Sequence, residues 1–106
     1  MKLRIGFTLV AILAASTVTS AYAQGSGADT FKSKCAMCHG ADGMATGPAG
    51  KAMQVPAFNS PAAAKATTAE MIAITTNGKG KMPAYTGKLT DTQIKDVVAY
   101  IKTLQK

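Results

Sequence analysis

The two cysteines and the one histidine of this chain lie together in the segment Cys-Ala-Met-Cys-His, as Cys35, Cys38 and His39. Two thiols three positions apart, followed by an imidazole, are suited to three kinds of chemistry. They are ligands for zinc, a dithiol–disulfide redox pair, or the attachment site of a porphyrin that is bound through two thioethers with the histidine on its iron. The remainder of the sequence distinguishes among these three.

Zinc binding and thiol redox chemistry both need features that the sequence lacks. A structural zinc site takes four ligands, usually as two separated pairs, and the sequence has no second pair. A thioredoxin-like Cys-x-x-Cys is expected beside a βαβ unit, whereas no segment here alternates like a strand. We therefore predict one haem c, covalently attached through Cys35 and Cys38, with His39 as an axial ligand to the iron.

Candidates for the second axial ligand are methionines, because the sequence has no second histidine. The methionines that follow the N-terminal segment are Met37, Met44, Met53, Met71 and Met82. Met37 lies inside the attachment motif, and Met44 follows His39 too closely to reach the opposite face of a porphyrin. Met71 is expected in the core of a helix. Met53 remains an alternative, as a loop methionine of the kind that usually fills an irregular gap.

Met82 lies in the segment Asn-Gly-Lys-Gly-Lys-Met-Pro-Ala-Tyr. Gly78 and Gly80 permit unusual backbone angles, and Pro83 stiffens the next step of the chain. We predict that this loop holds Met82 as the second axial ligand. A neutral thioether favours ferrous iron and raises the reduction potential, and two filled axial positions leave no site for oxygen or peroxide. The predicted function is reversible one-electron transfer, and we do not expect an enzyme.

Residues 1–23 have the pattern of a secretory signal peptide, which leaves 24–106 as one predicted domain. Two basic residues precede the apolar run Ile5–Ala15, which is shorter than the about 20 residues needed to span a bilayer. An Ala-x-Ala cleavage pattern ends at Ala23. We expect cleavage after that residue, a periplasmic location, and no stable membrane insertion of the cleaved protein.

The formal net charge is +7, and every basic residue after Arg4 is a lysine. Nucleic-acid binders favour arginine for bidentate base contacts, so we predict no nucleic-acid partner. A lysine-rich surface suits an acidic redox protein such as an oxidase, a reductase or a photosynthetic centre, and we expect a monomer. The candidate docking lysines are Lys34, Lys51, Lys79, Lys81 and Lys88.

Helices and two glycine-rich loops must position these residues. Helical spacing of apolar residues predicts a first helix over about 27–38, and capping boxes predict helix starts at Thr67 and Thr90. An apolar stripe from Ile94 to Leu104 predicts an amphipathic last helix. The predicted fold is all-α, with three to five helices around the haem, which supplies the apolar core that so short a chain needs.

The sequence resembles class I c-type cytochromes, in particular the short bacterial periplasmic monohaem kind. The motifs that carry the resemblance are Cys-Ala-Met-Cys-His, Gly-Pro-Ala at 47–49, the Met82 segment and Val-Val-Ala-Tyr-Ile-Lys-Thr-Leu at 97–104. They cover essentially all of 24–106. The resemblance implies a cytochrome c fold and electron exchange between redox partners of a respiratory or photosynthetic chain. Two other functions stay open, namely a haem-bearing subunit of a larger oxidoreductase complex, and a haem enzyme or gas sensor if Met82 is not on the iron.

The resemblance also implies contacts within the fold. Gly27 and Phe31 of the first helix are expected to cross the last helix near Val97 and Tyr100. A proline carbonyl, from Pro48 or alternatively from Pro56, is expected to accept the Nδ1–H of the histidine ligand. The sequence departs from the family two positions after the first of these prolines, where it has glycine instead of an apolar residue, so Met53 or Val55 is expected to supply the packing.

Overall fold

A computed structural model of the chain describes residues 26–105 and, in the N-terminal segment, Gly6 alone. Apart from that glycine, the predicted signal peptide lies outside the described residues. The helices in 26–105 are α1 (Gly27–Lys34), α2 (Ala36–His39), α3 (Pro48–Ala52), α4 (Pro61–Lys65), α5 (Thr68–Asn77) and α6 (Asp91–Thr103). Only Cys35 separates α1 from α2, and this part of the chain contains no strand. The all-α prediction is confirmed, and residues 26–105 contain six helices where three to five were predicted.

Capping boxes fix the starts of the three longest helices. In each box the N-cap side chain accepts a hydrogen bond from the third helical amide, and the side chain of that third residue accepts one from the N-cap amide. The pairs are Ser26 with Asp29, Thr67 with Glu70, and Thr90 with Gln93. The second and third were predicted from sequence, so the starts of α5 and α6 are confirmed. None of the helices in the described part of the chain is long and apolar enough to cross a bilayer.

The core is built where α1 crosses α6. Phe31, Val97 and Val98 are fully buried there, and the ring of Phe31 lies 5.4 Å from that of Tyr100, centroid to centroid. Gly27 permits the crossing, because a β-carbon at this position would overlap the backbone carbonyl of Asp96. The helix contact that the resemblance implies is therefore present.

We expect Gly27→Ala to lower the free energy of unfolding by about 1–3 kcal/mol, the usual cost of overpacking a core. Alanine stabilises a helix relative to glycine by about 1 kcal/mol. A net loss of unfolding free energy in the variant would therefore come from the crowding of the β-carbon against α6. Urea unfolding of the protein with its cofactor tests this. Gly47→Ala is the matched control, because a β-carbon at Gly47 would meet open space. Equal stability of the two variants would contradict the close approach.

The end of α6 holds the segment that connects α3 to α5. The Lys102 Nζ donates to the carbonyl of Ala66 at 2.9 Å. The Gln105 side-chain amide donates to Ala63 at 3.0 Å and to Phe58 at 3.3 Å. These bonds fix a segment that has little regular structure of its own, and they place the ring of Phe58 in the wall of a large cavity.

Candidate functional site

A cavity of about 940 Å³ opens between α2, α4, α5 and the loop after α5. Cavities that hold small ligands measure about 300–1,000 Å³, so this one is large for a domain of this size. Its walls are mostly apolar, and Val97 and Ile101 contribute to them from α6. All four predicted site residues line it, namely Cys35, Cys38, His39 and Met82. The fold thus brings together two segments that lie more than 40 positions apart in the sequence.

The attachment segment forms a tight turn at the break between α1 and α2. The amides of Cys38 and His39 both donate to the carbonyl of Cys35, at 3.2 and 3.0 Å. Both cysteines carry free thiols, and Cys35 is the more deeply buried of the two. Burial, with a smaller contribution from Cys38, raises the pKa of the Cys35 thiol to about 11. Because the thiolate is the reactive form of cysteine, burial makes this thiol less reactive at neutral pH.

The ring of His39 is held by stacking on an aromatic side chain. Its ring lies 4.6 Å from that of Phe58, centroid to centroid, at an interplanar angle of 15°. Its Nδ1 atom is buried and makes no hydrogen bond with any described residue. The bond to Pro48 or Pro56 that the resemblance implies is therefore not made in the structure.

Burial lowers the pKa of His39 below its ordinary value, so the imidazole is neutral at physiological pH and has a lone pair for a metal. With Nδ1 protonated, as the resemblance implies, the lone pair of Nε2 is the one available to iron. The neutral imidazole, two reduced thiols and a large apolar cavity together fit a covalently held haem.

The glycine at position 50 is explained by the backbone of α3. A β-carbon on Gly50 would lie 2.5 Å from the Cys38 carbonyl oxygen and 2.6 Å from that of Ala45. The helix therefore packs directly on the attachment segment, and an apolar side chain has no room there. Met53 and Val55, which were expected to supply the packing, line the cavity a few residues later, and the side chain of Met53 is 44% exposed.

The methionines divide by location. Met37 and Met44 do not line the cavity, and the side chain of Met37 is 83% exposed. Met71 belongs to the buried apolar cluster on α5, which confirms it as a core residue, although it also touches the cavity. Met53 follows α3, which packs on the attachment segment, whereas Met82 reaches the cavity from a separate loop.

The loop that carries Met82, residues 78–89, is fixed to the end of α5. Successive carbonyls of the last turn of α5 accept amides from the end of the helix and from the loop. Gly78 donates to Ile74 at 2.8 Å, Tyr85 to Thr75 at 3.0 Å, and Thr86 to Thr76 at 3.1 Å. Within the loop, Lys79 and Met82 exchange a reciprocal pair of backbone hydrogen bonds at 3.1 and 3.0 Å. The backbone of Met82 is thus held from both sides.

We expect Gly78→Ala to displace this loop. Gly78 has φ +78°, and a β-carbon there would lie 2.8 Å from the Met82 carbonyl oxygen and 2.9 Å from the Ala84 nitrogen. Left-handed backbone alone costs an L-residue about 1–2 kcal/mol, and crowding adds to it. Gly87→Ala is the control, since Gly87 has φ +76° and open space around it. Amide hydrogen exchange at Met82 should rise in the Gly78 variant and stay unchanged in the Gly87 variant. Equal exchange in both would contradict the crowding.

Three of the five candidate docking lysines lie at the cavity, namely Lys34, Lys79 and Lys81. Lys51 and Lys88 do not line it, and the Nζ of Lys88 lies 5.8 Å from the centre of the Tyr85 ring. Lys65, at the end of α4, lines the cavity but was not predicted. The one feature of the sequence that sets Lys65 apart is its position at the end of a short helix, and this alone does not indicate a place at the cavity.

Comparison with known proteins gives consistent results. Residues 23–101 match the family model described as cytochrome C oxidase, cbb3-type, subunit III. Cytochrome c6 of Leptolyngbya boryana is 39% identical over 75 residues, which are 71% of this chain and 85% of that protein. Cytochrome c6 of Picosynechococcus sp. strain PCC 7002 is 33% identical over 105 residues, which are 93% and 89% of the two chains. The solved structure of the c-type cytochrome KustC0563 superimposes with a TM-score of 0.69 at 25% identity, covering 76% of this chain and 99% of the other.

Proposed function

The chain belongs to the class I c-type cytochromes, and we propose that it carries electrons through a haem c whose iron is ligated by His39 and Met82. As a member of this family it holds one covalently bound haem c and is an electron carrier rather than an enzyme. The thioether bonds are assigned to Cys35 and Cys38, the two cysteines of the sequence.

One observation carries this proposal. Two cysteines and a neutral imidazole on one turn lie at the same cavity as a methionine from a rigid loop about 40 residues later. Haem iron supplies one-electron chemistry, with a potential that is set by its axial ligands and by the burial of the site. The residues of the chain hold the group, keep water away with apolar walls, and fix the backbone of Met82. A site fixed in this way needs little rearrangement when one electron is gained or lost.

A second function is favoured by the matched family model, whose description names a subunit of an oxidase. In that case the chain would work as a haem-bearing part of a larger complex. Size-exclusion chromatography of the exported fraction separates the two. A free carrier elutes as a monomer of the mature chain, whereas a subunit elutes with a much larger assembly.

Location and partners follow from the sequence. We propose export, cleavage after Ala23 and a periplasmic domain of residues 24–106 that meets acidic redox proteins of a respiratory or photosynthetic chain. The support is the signal-peptide pattern and the three predicted docking lysines at the mouth of the cavity, Lys34, Lys79 and Lys81.

The docking surface can be tested without knowing the partner. Electron exchange should be faster with an anionic metal complex than with a cationic one of similar potential, and the difference should shrink as salt increases. Replacing Lys79 and Lys81 by glutamine should narrow the difference. Lys95→Gln, on α6 and away from the cavity, should leave it unchanged. Equal rates with both complexes would contradict the proposal that the lysines attract acidic partners.

The proposed function is tested on protein that has been exported in a host with the haem-attachment machinery. The purified product should be coloured, heavier than residues 24–106 by one haem, and should give one reversible one-electron wave in voltammetry. Its ferrous form should bind carbon monoxide slowly or incompletely, because Met82 occupies the iron. Rapid, complete binding at neutral pH would instead indicate an open iron and an enzyme or sensor. A colourless product would overturn the proposal.

A further inference from the structure

We propose that Tyr85 is a positioning residue, whose hydroxyl ties the Met82 loop to the attachment segment and so sets how long Met82 stays on the iron. The inference rests on the proposed ligation by Met82. The phenol donates a hydrogen bond of 2.9 Å to the carbonyl of Lys34, a residue 51 positions away in the sequence. Lys34 directly precedes Cys35, so this bond joins the two halves of the site.

The acceptor, the carbonyl of Lys34, loses its helical amide partner because the helix breaks after this residue. In a continuous helix the amide of Cys38 would donate to Lys34, four residues earlier. Here that amide donates to Cys35 at 3.2 Å, because α1 ends at Lys34 and the attachment segment starts a new turn. A terminal helix carbonyl needs a partner from outside the helix. The phenol of Tyr85 supplies it at the point where the chain turns to present both thiols.

The other bonds of Tyr85 lie within its own half of the site. Its amide donates to the carbonyl of Thr75 on α5 at 3.0 Å, and its carbonyl accepts the amides of Lys88 and Leu89 at 3.0 and 2.9 Å. Its ring lines the cavity, three residues after Met82. One residue is therefore bonded to α5, to the end of its own loop and, through the phenol alone, to the segment that carries the thiols.

This arrangement gives the phenol a particular effect. The loop has several bonds to α5, and these remain when the hydroxyl is removed. The Tyr85–Lys34 bond is the side-chain hydrogen bond that the structure shows between the loop and α1. Losing it should leave the loop folded on α5 but free to move away from the attachment segment. The dissociation of Met82 from the iron should then become faster, while the fold is largely retained.

The test uses Tyr85→Phe in the protein with its haem, with imidazole as the probe ligand for ferric iron. At saturating imidazole, the binding rate is limited by the departure of Met82. We expect this limiting rate to rise about two- to twelve-fold, the factor that corresponds to the net worth of one intramolecular hydrogen bond. Tyr100→Phe is the matched control. It removes a hydroxyl from a ring that packs on Phe31 outside the cavity, and its limiting rate should equal that of the wild type.

Two outcomes would overturn the proposal. The first is an unchanged limiting rate in Tyr85→Phe together with a lower midpoint of urea unfolding, which would indicate a purely structural role. The second is a limiting rate that rises equally in Tyr85→Phe and in Tyr100→Phe. An equal rise would indicate a general loss of stability and not the loss of the bond to Lys34.

Failure of the proposed ligation gives a different result. If Met82 is not on the iron, the wild-type rate would rise with imidazole without reaching a limit, and Met82→Ala would leave that behaviour unchanged. A limiting rate in the wild type that disappears in Met82→Ala confirms the ligand, whatever the effect of Tyr85→Phe.

Discussion

Replacing Cys35 and Cys38 together by serine is expected to abolish covalent haem and to prevent the chain from reaching its folded state. The cavity measures about 940 Å³. The cavity is open to solvent, so without haem water would enter it and wet its apolar walls, at about 25 cal/mol for each Å² of apolar surface left exposed. A domain has only about 5–15 kcal/mol of stability in total. The walls should therefore collapse or unfold when no haem is held between them.

The measurements are haem staining after denaturing electrophoresis and the helical signal in circular dichroism. The double variant should retain no haem and should lose most of its helicity. Met37→Ser is the control, because it changes a residue inside the motif whose side chain is 83% exposed and keeps both thiols. It should match the wild type in both measurements. Covalent haem in the double variant, or native helicity without haem, would contradict the assignment of the thioethers and of the haem as the core.

The local features of the site could be predicted from the sequence because short-range chemistry determines them. Cys35, Cys38 and His39 are adjacent, so their spacing alone indicates the turn they form. The starts of α5 and α6 are marked by capping boxes that span only four residues. The placement of Met82 at the cavity was predicted from the glycines and the proline around it, although its neighbours in space lie far away in the sequence.

Contacts between distant segments could not be predicted from the same patterns. The phenol of Tyr85 donates a hydrogen bond to Lys34, which is 51 positions away in the sequence. The ring of Phe58, from a segment without helical periodicity, stacks on His39. Both depend on how the helices are stacked, which no local spacing encodes. The expected proline partner of the histidine was wrong, since Nδ1 has no hydrogen-bond partner among the described residues, and the ring contact with Phe58 was not predicted.

Gly50 is an intermediate case. Comparison with the family pattern shows glycine where an apolar residue is usual. This marks the position as unusual but does not give the cause. The cause is that α3 lies so close to the carbonyl groups of Cys38 and Ala45 that no β-carbon fits between them. A departure from the family pattern was therefore a sign of close backbone packing. Met53 and Val55, which were predicted to replace the lost packing, line the cavity instead.

Met82→Ala is expected to open the iron while leaving the haem attached. The thioether favours the ferrous state, so its loss should lower the reduction potential by on the order of 0.1–0.3 V, within the about 0.8 V range that axial ligands set. Ferrous protein should then bind carbon monoxide rapidly and completely, and the absorption bands that report the second ligand should change. The loop itself should stay folded, because its backbone bonds to α5 do not involve the thioether.

Met53→Ala is the control that makes this result specific. Met53 lines the same cavity with the same kind of side chain, but it follows α3, which packs against the attachment segment through Gly50. Its removal should leave the potential and the carbon monoxide reaction close to those of the wild type. The reverse pattern, with an open iron in Met53→Ala and an unchanged spectrum in Met82→Ala, would transfer the ligand to Met53. In that case residues 78–89 would serve only to close the cavity, since the fold would then place both axial ligands on the segment that begins at Cys35.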